Sequence, residues 1–480
     1  MSKVISLIVL MLLLSGIALA QEEPDDFLSS DFHKNRRQMV REKLPANSVA
    51  VIFANAVRNR ANDVDYLYHQ DPNFFYLTGY REPHAVLLIF KDQQPGFDGE
   101  YNEVIFVQPR NEFREMWDGR RLGVSGVAAK IGIDAVFKNR EFKDYYIDFS
   151  QFDKVLFYDF NNDVRDTRTE GDLFDLISWF RQKAGYPSTA SLEVEASGGN
   201  LDTETLDFIM KDLRGIKTSE ELVLLRKAVD ISAVGQVEVM KAMKPGMGER
   251  EVQGIHEFVF KKYGAEYEGY PSIVGAGHNG CILHYVENYK PAITSKELIL
   301  MDLGAEYHGY TADVTRTIPV SGTFSKAQKQ IYDLVYEAQD QAIKRCKPGA
   351  SFRKVTQLSK DIINKGLAEL GIIDSERDQH LYFPHGLSHH IGLDVHDKGH
   401  YNLMEENMVI TVEPGIYIPE GSQCDKKWWG IAVRIEDDIL ITADGFEILS
   451  DKAPRRSEAI EEMMKQPSIF NQLVLPTLDQ

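Results

Sequence analysis

The stretch LILMDLGAEYHGYTADVTRTIP, residues 298–319, has the pattern of two β-strands joined by a tight turn, and it carries two aspartates. A two-residue turn centred between Tyr307 and His308 would place Asp302 directly opposite Asp313. Facing side chains on one face of a sheet have Cβ atoms about 5 Å apart. Two carboxylates at that distance repel each other unless a cation lies between them, and a pair of metal ions is a natural occupant.

The acidic pair alone does not identify its counter-ion, because Arg316 on the second strand could neutralise it as a plain salt-bridge partner. A histidine cluster farther along shifts the balance toward a metal site. Four of the thirteen histidines lie within twelve residues, separated by largely apolar residues: His385, His389, His390 and His396. One histidine in apolar surroundings is usually a core residue, whereas a cluster favours a site.

Two glutamates follow in apolar strand-like segments. Glu413 comes directly after the run MVITV, and Glu436 ends the run IAVRIE. The strand period places Arg434 and Glu436 on one face of the second segment. A glutamate in such a strand is rarely buried unless it is paired or bound to metal. Asp437 and Asp438, by contrast, are expected at or near the surface.

These observations define a set of candidate metal ligands: Asp302, Asp313, His389, Glu413 and Glu436. Four carboxylates supply four negative charges, which two divalent ions would balance. Oxygen ligands with a single imidazole suit Mn²⁺, Co²⁺ or Fe²⁺ better than structural zinc, which prefers thiolate and imidazole, although Zn²⁺ stays an option. Two ions about 3.5–4 Å apart would activate a water and clamp the carbonyl oxygen under attack.

The composition describes an ordinary globular protein with an acidic surface. The chain has 480 residues, 43% of them hydrophobic, and 54 basic against 73 acidic side chains give a net charge of −19. Such a surface repels phosphate backbones, so nucleic acid is not an expected partner. Three widely spaced cysteines form no disulfide framework.

The first twenty residues have the pattern of a signal peptide. Lys3 precedes an apolar run at 4–14, and Ala18-Leu19-Ala20 offers a small-residue cleavage site. The alternative is an uncleaved anchor helix, although the run is short for a membrane span. We therefore expect an exported protein, periplasmic or secreted, with no stable membrane insertion after cleavage.

The remainder divides into a flexible tail at 21–30, an α/β domain at 31–206, an α+β domain at 207–465 and a C-terminal tail at 466–480. The α+β domain shows signs of duplication. A Lys-Pro-Gly sequence follows a long helical pattern at 244–246 and again at 347–349, and each is followed by another helix and a β-rich segment with a histidine. The two halves predict a pseudo-twofold repeat with a site at the seam; coincidence is the alternative.

The sequence GAGHNG at 275–280 matches a dinucleotide-binding fingerprint, but the apolar residues after it predict a strand rather than the required helix. We interpret it as a tight turn. His256-Glu257 starts like a zinc-binding helix, but the second histidine of that motif is missing.

The chain resembles the pita-bread metallopeptidases, and among them aminopeptidase P most closely. The resemblance rests on Asp302 with Asp313, HGLSH and GLDVH at 385–396, VEPG at 412–415, RIEDD at 434–438, and IVGAGHNGCILHYVEN at 273–288. The first domain is similar to the family's N-terminal domain in RRQ at 36–38, DPNFFYLTG at 71–79 and EMWDGRR at 115–121. The similarity covers nearly all of the chain after the leader. His278 and His390 depart from residues usual in the family, neither at a metal position.

The resemblance implies a role for each site residue. Asp302, Asp313, His389, Glu413 and Glu436 would hold two Mn²⁺ ions, with Asp313 and Glu436 bridging and Glu413 acting as general base toward the water. The other implied residues serve the substrate: His284 and His396 would contact it and stabilise the tetrahedral intermediate, His385 would line the proline pocket, and Tyr417, Arg434 and Asp63 would form a supporting polar chain.

The implied activity is hydrolysis of the bond between the first residue of a peptide and a proline at position two, by a water activated at a dinuclear metal site. Two alternatives remain: an Xaa-Pro dipeptidase (prolidase), and a catalytically silent pita-bread binding protein. The family's habit also implies a homodimer or homotetramer, with Trp117 reaching a neighbouring subunit's site.

Overall fold

The computed structural model describes residues 24–96, 99–133, 135–186 and 199–476. The predicted signal peptide at 1–20 and the last four residues of the predicted C-terminal tail lie outside these ranges. Across the described ranges, no helix combines the length and the apolar composition that a membrane span needs.

The N-terminal unit is built on a six-stranded mixed sheet in the order β6-β5-β4-β1-β7-β8. β1 lies at its centre, antiparallel to β4 and parallel to β7, and it is buried along nearly its whole length. A separate two-stranded hairpin, β2-β3, projects from this unit. The strands are β1 (Ser48–Phe53), β2 (Asn59–Ala61), β3 (Val64–Asp65), β4 (Val86–Pro95), β5 (Glu100–Val107), β6 (Ala135–Lys138), β7 (Lys154–Phe157) and β8 (Leu201–Asp202).

Six helices accompany this sheet: α1 (Ser30–Lys43), α2 (Pro72–Thr78), α3 (Glu112–Asp118), α4 (Gly123–Ile131), α5 (Leu173–Lys183) and α6 (Thr205–Gly215). The short α2 shows how local chemistry sets its limits. Asp71 accepts the Phe74 N–H at 2.8 Å as N-cap, Pro72 occupies the first turn, and Gly79 ends the helix in the left-handed region at φ 65°. The predicted domain boundary at 206–207 falls inside α6, and the division into domains stays a prediction.

The C-terminal unit contains two long helix pairs and a short final helix: α7 (Ser219–Ala242) with α8 (Glu249–Lys262), α9 (Lys326–Ile343) with α10 (Phe352–Glu369), and α11 (Ser457–Met463). A capping box begins α7, where Thr218 and Glu221 each accept the other's backbone N–H.

The strands of this unit form small antiparallel sheets between the helix pairs, in the orders β10-β11-β14, β13-β12-β9, β15-β18-β19 and β16-β17. They are β9 (Tyr267–Glu268), β10 (Ile273–Ala276), β11 (Leu298–Leu303), β12 (Ala305–Tyr307), β13 (Tyr310–Thr311), β14 (Val314–Pro319), β15 (Val409–Val412), β16 (Gly415–Ile418), β17 (Ile431–Arg434), β18 (Asp437–Thr442) and β19 (Gly445–Ile448).

The internal duplication predicted from the sequence is present in three dimensions. Each Lys-Pro-Gly follows a long helix, and its glycine adopts positive φ, 97° at Gly246 and 82° at Gly349. Each glycine also donates its backbone N–H to a distant carbonyl, that of Ile293 in one half and that of Met404 in the other. The α+β class with two related halves is therefore confirmed.

The register predicted for the 298–319 hairpin is wrong: the turn lies one residue later, so each partner is shifted by two residues. The turn is centred between His308 and Gly309, so Tyr307 pairs with Tyr310 and Asp302 pairs with Thr315 rather than with Asp313. A two-residue turn of this type needs positive φ at both central positions. His308 and Gly309 adopt φ of 51° and 87°, and a glycine tolerates the second value without strain.

One further expectation is corrected. The 275–280 motif does turn, as predicted, with residues Gly277–Cys281 in a 3₁₀-helix, but no strand directly follows it. The flexible tail predicted at 21–30 stays a prediction; within it, Asp26 accepts a hydrogen bond from the Tyr307 hydroxyl at 2.5 Å, and the Phe27 ring stacks on His308 with centroids 3.7 Å apart.

Candidate metal centre

A cavity of about 540 Å³ opens between the two halves of the C-terminal unit. It brings together nine of the eleven residues selected from the sequence: Asp302, Asp313, His389, Glu413, Glu436, His284, His385, His396 and Arg434. Apolar side chains complete the wall, among them Ile273, Leu283, Val286 and Val395. The cavity is therefore both polar at its acidic end and apolar along its side.

The acidic residues reach the cavity from the ends of different strands. Asp302 lies on β11, and Asp313 lies between β13 and β14, where its backbone N–H donates to Asp438 at 3.0 Å. Glu413 follows β15. Glu436 lies between β17 and β18 rather than within a strand, with its N–H on the Thr315 carbonyl.

His389 is held beside β15 by its backbone. Its N–H donates to the Thr411 hydroxyl at 3.1 Å, and its carbonyl accepts the Thr411 N–H at 2.9 Å. The ring Nδ1 lies 3.0 Å from the carbonyl of His390, which fixes the ring orientation and leaves Nε2 facing the carboxylates.

The spacing of the donor atoms fits a metal ion. His389 Nε2 lies 3.5 Å from Asp313 Oδ2, 3.5 Å from Glu413 Oε1 and 4.0 Å from Glu436 Oε1. One donor atom each from Asp313, His389 and Glu436 lies within 4.8 Å of the others. Donor atoms that share an ion through bonds of about 2.1 Å lie about 3–4 Å apart. These distances exceed those of good hydrogen bonds, so the residues are arranged around a shared centre rather than bonded to each other.

The pKa values of Asp302 and Asp313 shift in opposite directions. Burial alone would raise the pKa of Asp302, but the charge of Arg434 and the Tyr270 hydroxyl hold it below its ordinary value. Burial and the charges of Asp302 and Asp438 raise the pKa of Asp313 well above its ordinary range. The pair therefore carries an excess of negative charge that a cation would relieve.

The two glutamates show the same excess of negative charge. Burial and the charges of Asp313 and Glu413 raise the pKa of Glu436 well above its ordinary range, and burial raises the pKa of Glu413 to about 7. Glu436 Oε1 is buried and has no hydrogen-bond partner within the described ranges. An unpaired buried carboxylate oxygen is costly, so these residues fit divalent cations as their missing partners.

A polar chain supports this acidic cluster. Arg434 donates to Asp302 Oδ2 at 2.5 Å and to the Tyr417 hydroxyl at 2.9 Å, and that hydroxyl lies 2.9 Å from His385 Nε2. Burial and the Arg434 charge lower the pKa of His385 to about 4, so its ring is neutral near pH 7. Tyr417 is buried, is absent from the cavity lining, and reaches it through hydrogen bonds with Arg434 and His385.

Of the remaining predicted residues, His396 and His284 line the cavity and Asp63 does not. His396 packs edge-on against His389, with ring centroids 4.6 Å apart, and burial and the His389 charge lower its pKa. His284 also lines the cavity, from a turn after the 3₁₀-helix. Asp63 lies in the exposed turn between β2 and β3 and does not line the cavity, so the structure of the single chain does not bring it to the site.

Sequence reasoning missed Tyr270, which contacts both aspartates of the hairpin. Its hydroxyl lies 2.5 Å from Asp302 Oδ1 and 2.5 Å from Asp313 Oδ1. Thr315 was missed as well; its hydroxyl donates to Glu436 Oε2 at 2.6 Å. A lone tyrosine and a strand threonine carry no local signal, because only the folding of distant segments places them here.

The expectation that Asp437 and Asp438 lie near the surface is wrong, since both are fully buried. Asp437 is neutralised by Arg316 at 2.6 Å and also accepts from the Ser450 hydroxyl at 2.5 Å. Arg316 therefore serves Asp437 and not the hairpin pair. Burial raises the pKa of Asp438 to about 8, and one of its oxygens holds the backbone of Asp313 in place.

Comparisons with known proteins agree with this geometry. Residues 223–443 match the family model for metallopeptidase family M24, and residues 33–156 match that for the aminopeptidase P N-terminal domain. The chain is 36% identical to the Xaa-Pro aminopeptidase of Escherichia coli, over 91% of this chain and 98% of that protein. It is 31% identical to human Xaa-Pro aminopeptidase 3, over 88% of this chain and 82% of that protein.

Solved structures give the same result at the level of the fold. Proline aminopeptidase P II from Yersinia pestis superposes with a TM-score of 0.79 at 33% identity, covering 91% of this chain and 99% of that one. E. coli aminopeptidase P with the inhibitor Pro-Leu gives 0.79 at 34% identity, covering 91% and 98%. The chain has the pita-bread fold and belongs to metallopeptidase family M24, within its aminopeptidase P group of metal-dependent exopeptidases.

Proposed function

We propose that this enzyme removes the first residue of peptides whose second residue is proline. One observation carries the proposal: four carboxylates and His389, brought from distant parts of the chain, converge on the acidic end of a single cavity. The relatives named Xaa-Pro aminopeptidase, which align over almost their whole length, support the choice of the proline bond.

When bound, two divalent ions would supply an activated water and polarise the scissile carbonyl. The chain's own residues do the rest under this proposal. Glu413 accepts the proton of the attacking water, and His284 and His396, both in the cavity lining, contact the peptide. Arg434 keeps Asp302 ionised, while His385, neutral and tied to Tyr417, presents an uncharged ring to the proline.

The proline bond matches such a site chemically. An Xaa-Pro bond is a tertiary amide, so it offers no N–H for a peptidase to grip, and its ring has a fixed geometry. A site that polarises the carbonyl oxygen does not need the missing N–H to bind or cleave the bond. The apolar wall of Ile273, Leu283, Val286 and Val395 supports the binding of an uncharged ring.

Three finer points belong to the same proposal. The oxygen-rich donor set supports Mn²⁺ as the native ion. The charged and apolar pattern of residues 1–20 supports export to the periplasm or beyond. On α3, Phe113, Met116 and Trp117 are 67%, 78% and 72% exposed, which supports contact with another copy of the chain in a homodimer or homotetramer.

The test is hydrolysis by metal-depleted protein with and without added Mn²⁺. An Xaa-Pro-Xaa tripeptide should be cleaved at its first bond only after Mn²⁺ is added, and Xaa-Ala-Xaa serves as the control for bond specificity. Cleavage of an Xaa-Pro dipeptide alone would identify a prolidase instead. Folded, metal-loaded protein that cleaves none of these peptides would reject both activities and leave a binding function.

A further inference from the structure

A buried glutamine in α7 bonds to the backbone beside both aspartates of the candidate metal centre. Gln236 is fully buried, and its side-chain amide donates to the carbonyl of Met301 at 3.1 Å and to that of Val314 at 2.7 Å. Met301 directly precedes Asp302, and Val314 directly follows Asp313. One amide group therefore spans the two backbone segments from which both aspartates project.

A second buried glutamine, in α9, does the same for the glutamate ligands. The side-chain amide of Gln339 donates to the carbonyls of Val412 and Ile435, both at 3.0 Å. These residues directly precede Glu413 and Glu436. The amide also contacts Asp437 Oδ2 at 2.9 Å, which connects Gln339 to the buried ion pair of Arg316 with Asp437.

The two glutamines occupy equivalent positions in the duplicated halves. Gln236 lies eight residues before the Lys244 of the first Lys-Pro-Gly, and Gln339 lies eight residues before the Lys347 of the second. The pseudo-twofold relation that places two carboxylates in each half therefore also places one amide behind each pair.

The hydrogen-bonding of Gln236 argues against a space-filling role. Its Oε1 is buried and has no partner within the described part of the chain. An apolar side chain of the same shape would avoid that cost. The two N–H bonds of a planar side-chain amide diverge from one nitrogen at a fixed angle. They therefore fix the position of two acceptor carbonyls relative to each other.

We propose that Gln236 and Gln339 are positioning residues that set the separation of the carboxylate ligands in each half of the metal centre. Metal–ligand distances tolerate deviations of only about 0.2 Å, and both ligand pairs come from separate strand segments that a helix must hold in register. This inference rests on the proposed dinuclear centre.

The test compares Gln236→Met and Gln339→Met, which keep an unbranched side chain and lose both N–H donors. Gln328→Met is the matched control: Gln328 is also a buried glutamine of α9, and its amide donates to the Lys296 carbonyl at 2.8 Å, away from every ligand. Calorimetric titration of metal-depleted protein gives the Kd for Mn²⁺. Electron paramagnetic resonance of the loaded protein reports the magnetic coupling between the two ions, which depends on their separation.

Gln236→Met and Gln339→Met should each raise the Kd of at least one Mn²⁺ by about 10- to 100-fold and alter the magnetic coupling between the ions. Gln328→Met should retain the wild-type Kd and spectrum. Wild-type Kd and coupling in both Gln236→Met and Gln339→Met would overturn the inference, as would an equal rise of the Kd in Gln328→Met. Because Gln236 and Gln339 lie on different helices, either variant carries the test if the other fails to fold. Wild-type protein that binds fewer than two ions would instead refute the proposed centre itself.

Discussion

His256, on α8, is a fully buried histidine that plays no part in the site. Neither ring nitrogen has a hydrogen-bond partner in the described ranges, and the ring packs against the backbone of α7 at Gly235. Burial lowers its pKa to about 3. The residue that resembles the start of a zinc-binding motif in the sequence is thus a neutral core side chain with two unsatisfied polar atoms.

Replacing His256 with methionine should stabilise the protein and reduce its acid sensitivity. Removing two unsatisfied nitrogens should raise the free energy of unfolding by about 1 kcal/mol at pH 7.5. The unfolded chain takes up a proton below its ordinary pKa of about 6.5 while the folded chain does not, so the wild type should lose about 1.4 kcal/mol from this group between pH 7.5 and pH 5.5. Urea unfolding of metal-free protein at both pH values measures the difference.

Wild type and His256→Met should therefore diverge as the pH falls, with the variant losing less stability. An equal loss in both proteins would show that His256 takes up a proton as readily in the folded state as in the unfolded state. A lower stability of the variant at pH 7.5 would show that the imidazole shape matters more to the packing of α7 on α8 than its polar atoms.

At the scale of elements, one buried acid organises the loop that carries His284. Glu249, in the first turn of α8, is fully buried, and its carboxylate accepts four hydrogen bonds from the loop. The donors are the backbone N–H groups of Ala276 and Lys290, the Asn279 amide and the Tyr285 hydroxyl, at 2.8–3.0 Å. The 275–280 glycine motif turns around this carboxylate and supplies two of its four donors, from Ala276 and Asn279.

Replacing Glu249 with glutamine should loosen the 276–290 loop, because the new NH₂ group faces donors where an acceptor is needed. We expect kcat/KM for an Xaa-Pro-Xaa peptide to fall by about 10- to 100-fold. Hydrogen exchange across 276–290 should increase in the same variant. Both effects have one cause, the loss of a fixed position for His284.

Glu251→Gln provides the control for charge, since Glu251 is exposed in the same helical turn and its carboxylate accepts the backbone N–H of Gly248 at 3.4 Å. It should leave both exchange and kcat/KM near wild type. Unchanged exchange of the loop in Glu249→Gln would contradict the role given to Glu249.

At the scale of the whole molecule, buried charges join the two units. Asp397, next to His396, lies between Arg214 and Lys217, and all three side chains are at most 2% exposed. Arg214 also donates to Asn73 of the N-terminal unit at 2.7 Å. The end of α6 and the residues directly after it therefore hold both the α2 region and the loop that carries His396.

Replacing Asp397 with asparagine should destabilise the protein strongly, because two buried cations lose their shared carboxylate. We expect a loss of about 3 kcal/mol in the free energy of unfolding. Asp207→Asn, which removes the carboxylate of a partly exposed pair with Lys398, should cost less than about 1 kcal/mol. Denaturant unfolding compares the variants, and similar losses in the two would contradict a special role for the buried cluster.

Much of the site was predictable because its residues carry local signals. Glu413 and Glu436 stand out as acids at the ends of apolar strand segments, and His389 belongs to a conspicuous cluster. The roles assigned to these residues stay predictions until variants are measured. Asp437 and Asp438 were misjudged because their burial depends on Arg316 and on the backbone of Asp313, which are more than a hundred residues away in the chain.

The sequence by itself determined the α/β and α+β classes, the helix ends, the duplication and the set of acidic and histidine side chains, because periodicity, caps and residue chemistry act over a few residues. Only the tertiary structure decided the hairpin register at His308-Gly309, the place of Tyr270 between two aspartates, and the glutamines behind the ligand strands. Those features depend on contacts between segments that are distant along the chain, and their free energies become favourable only when both halves have packed around the same cavity.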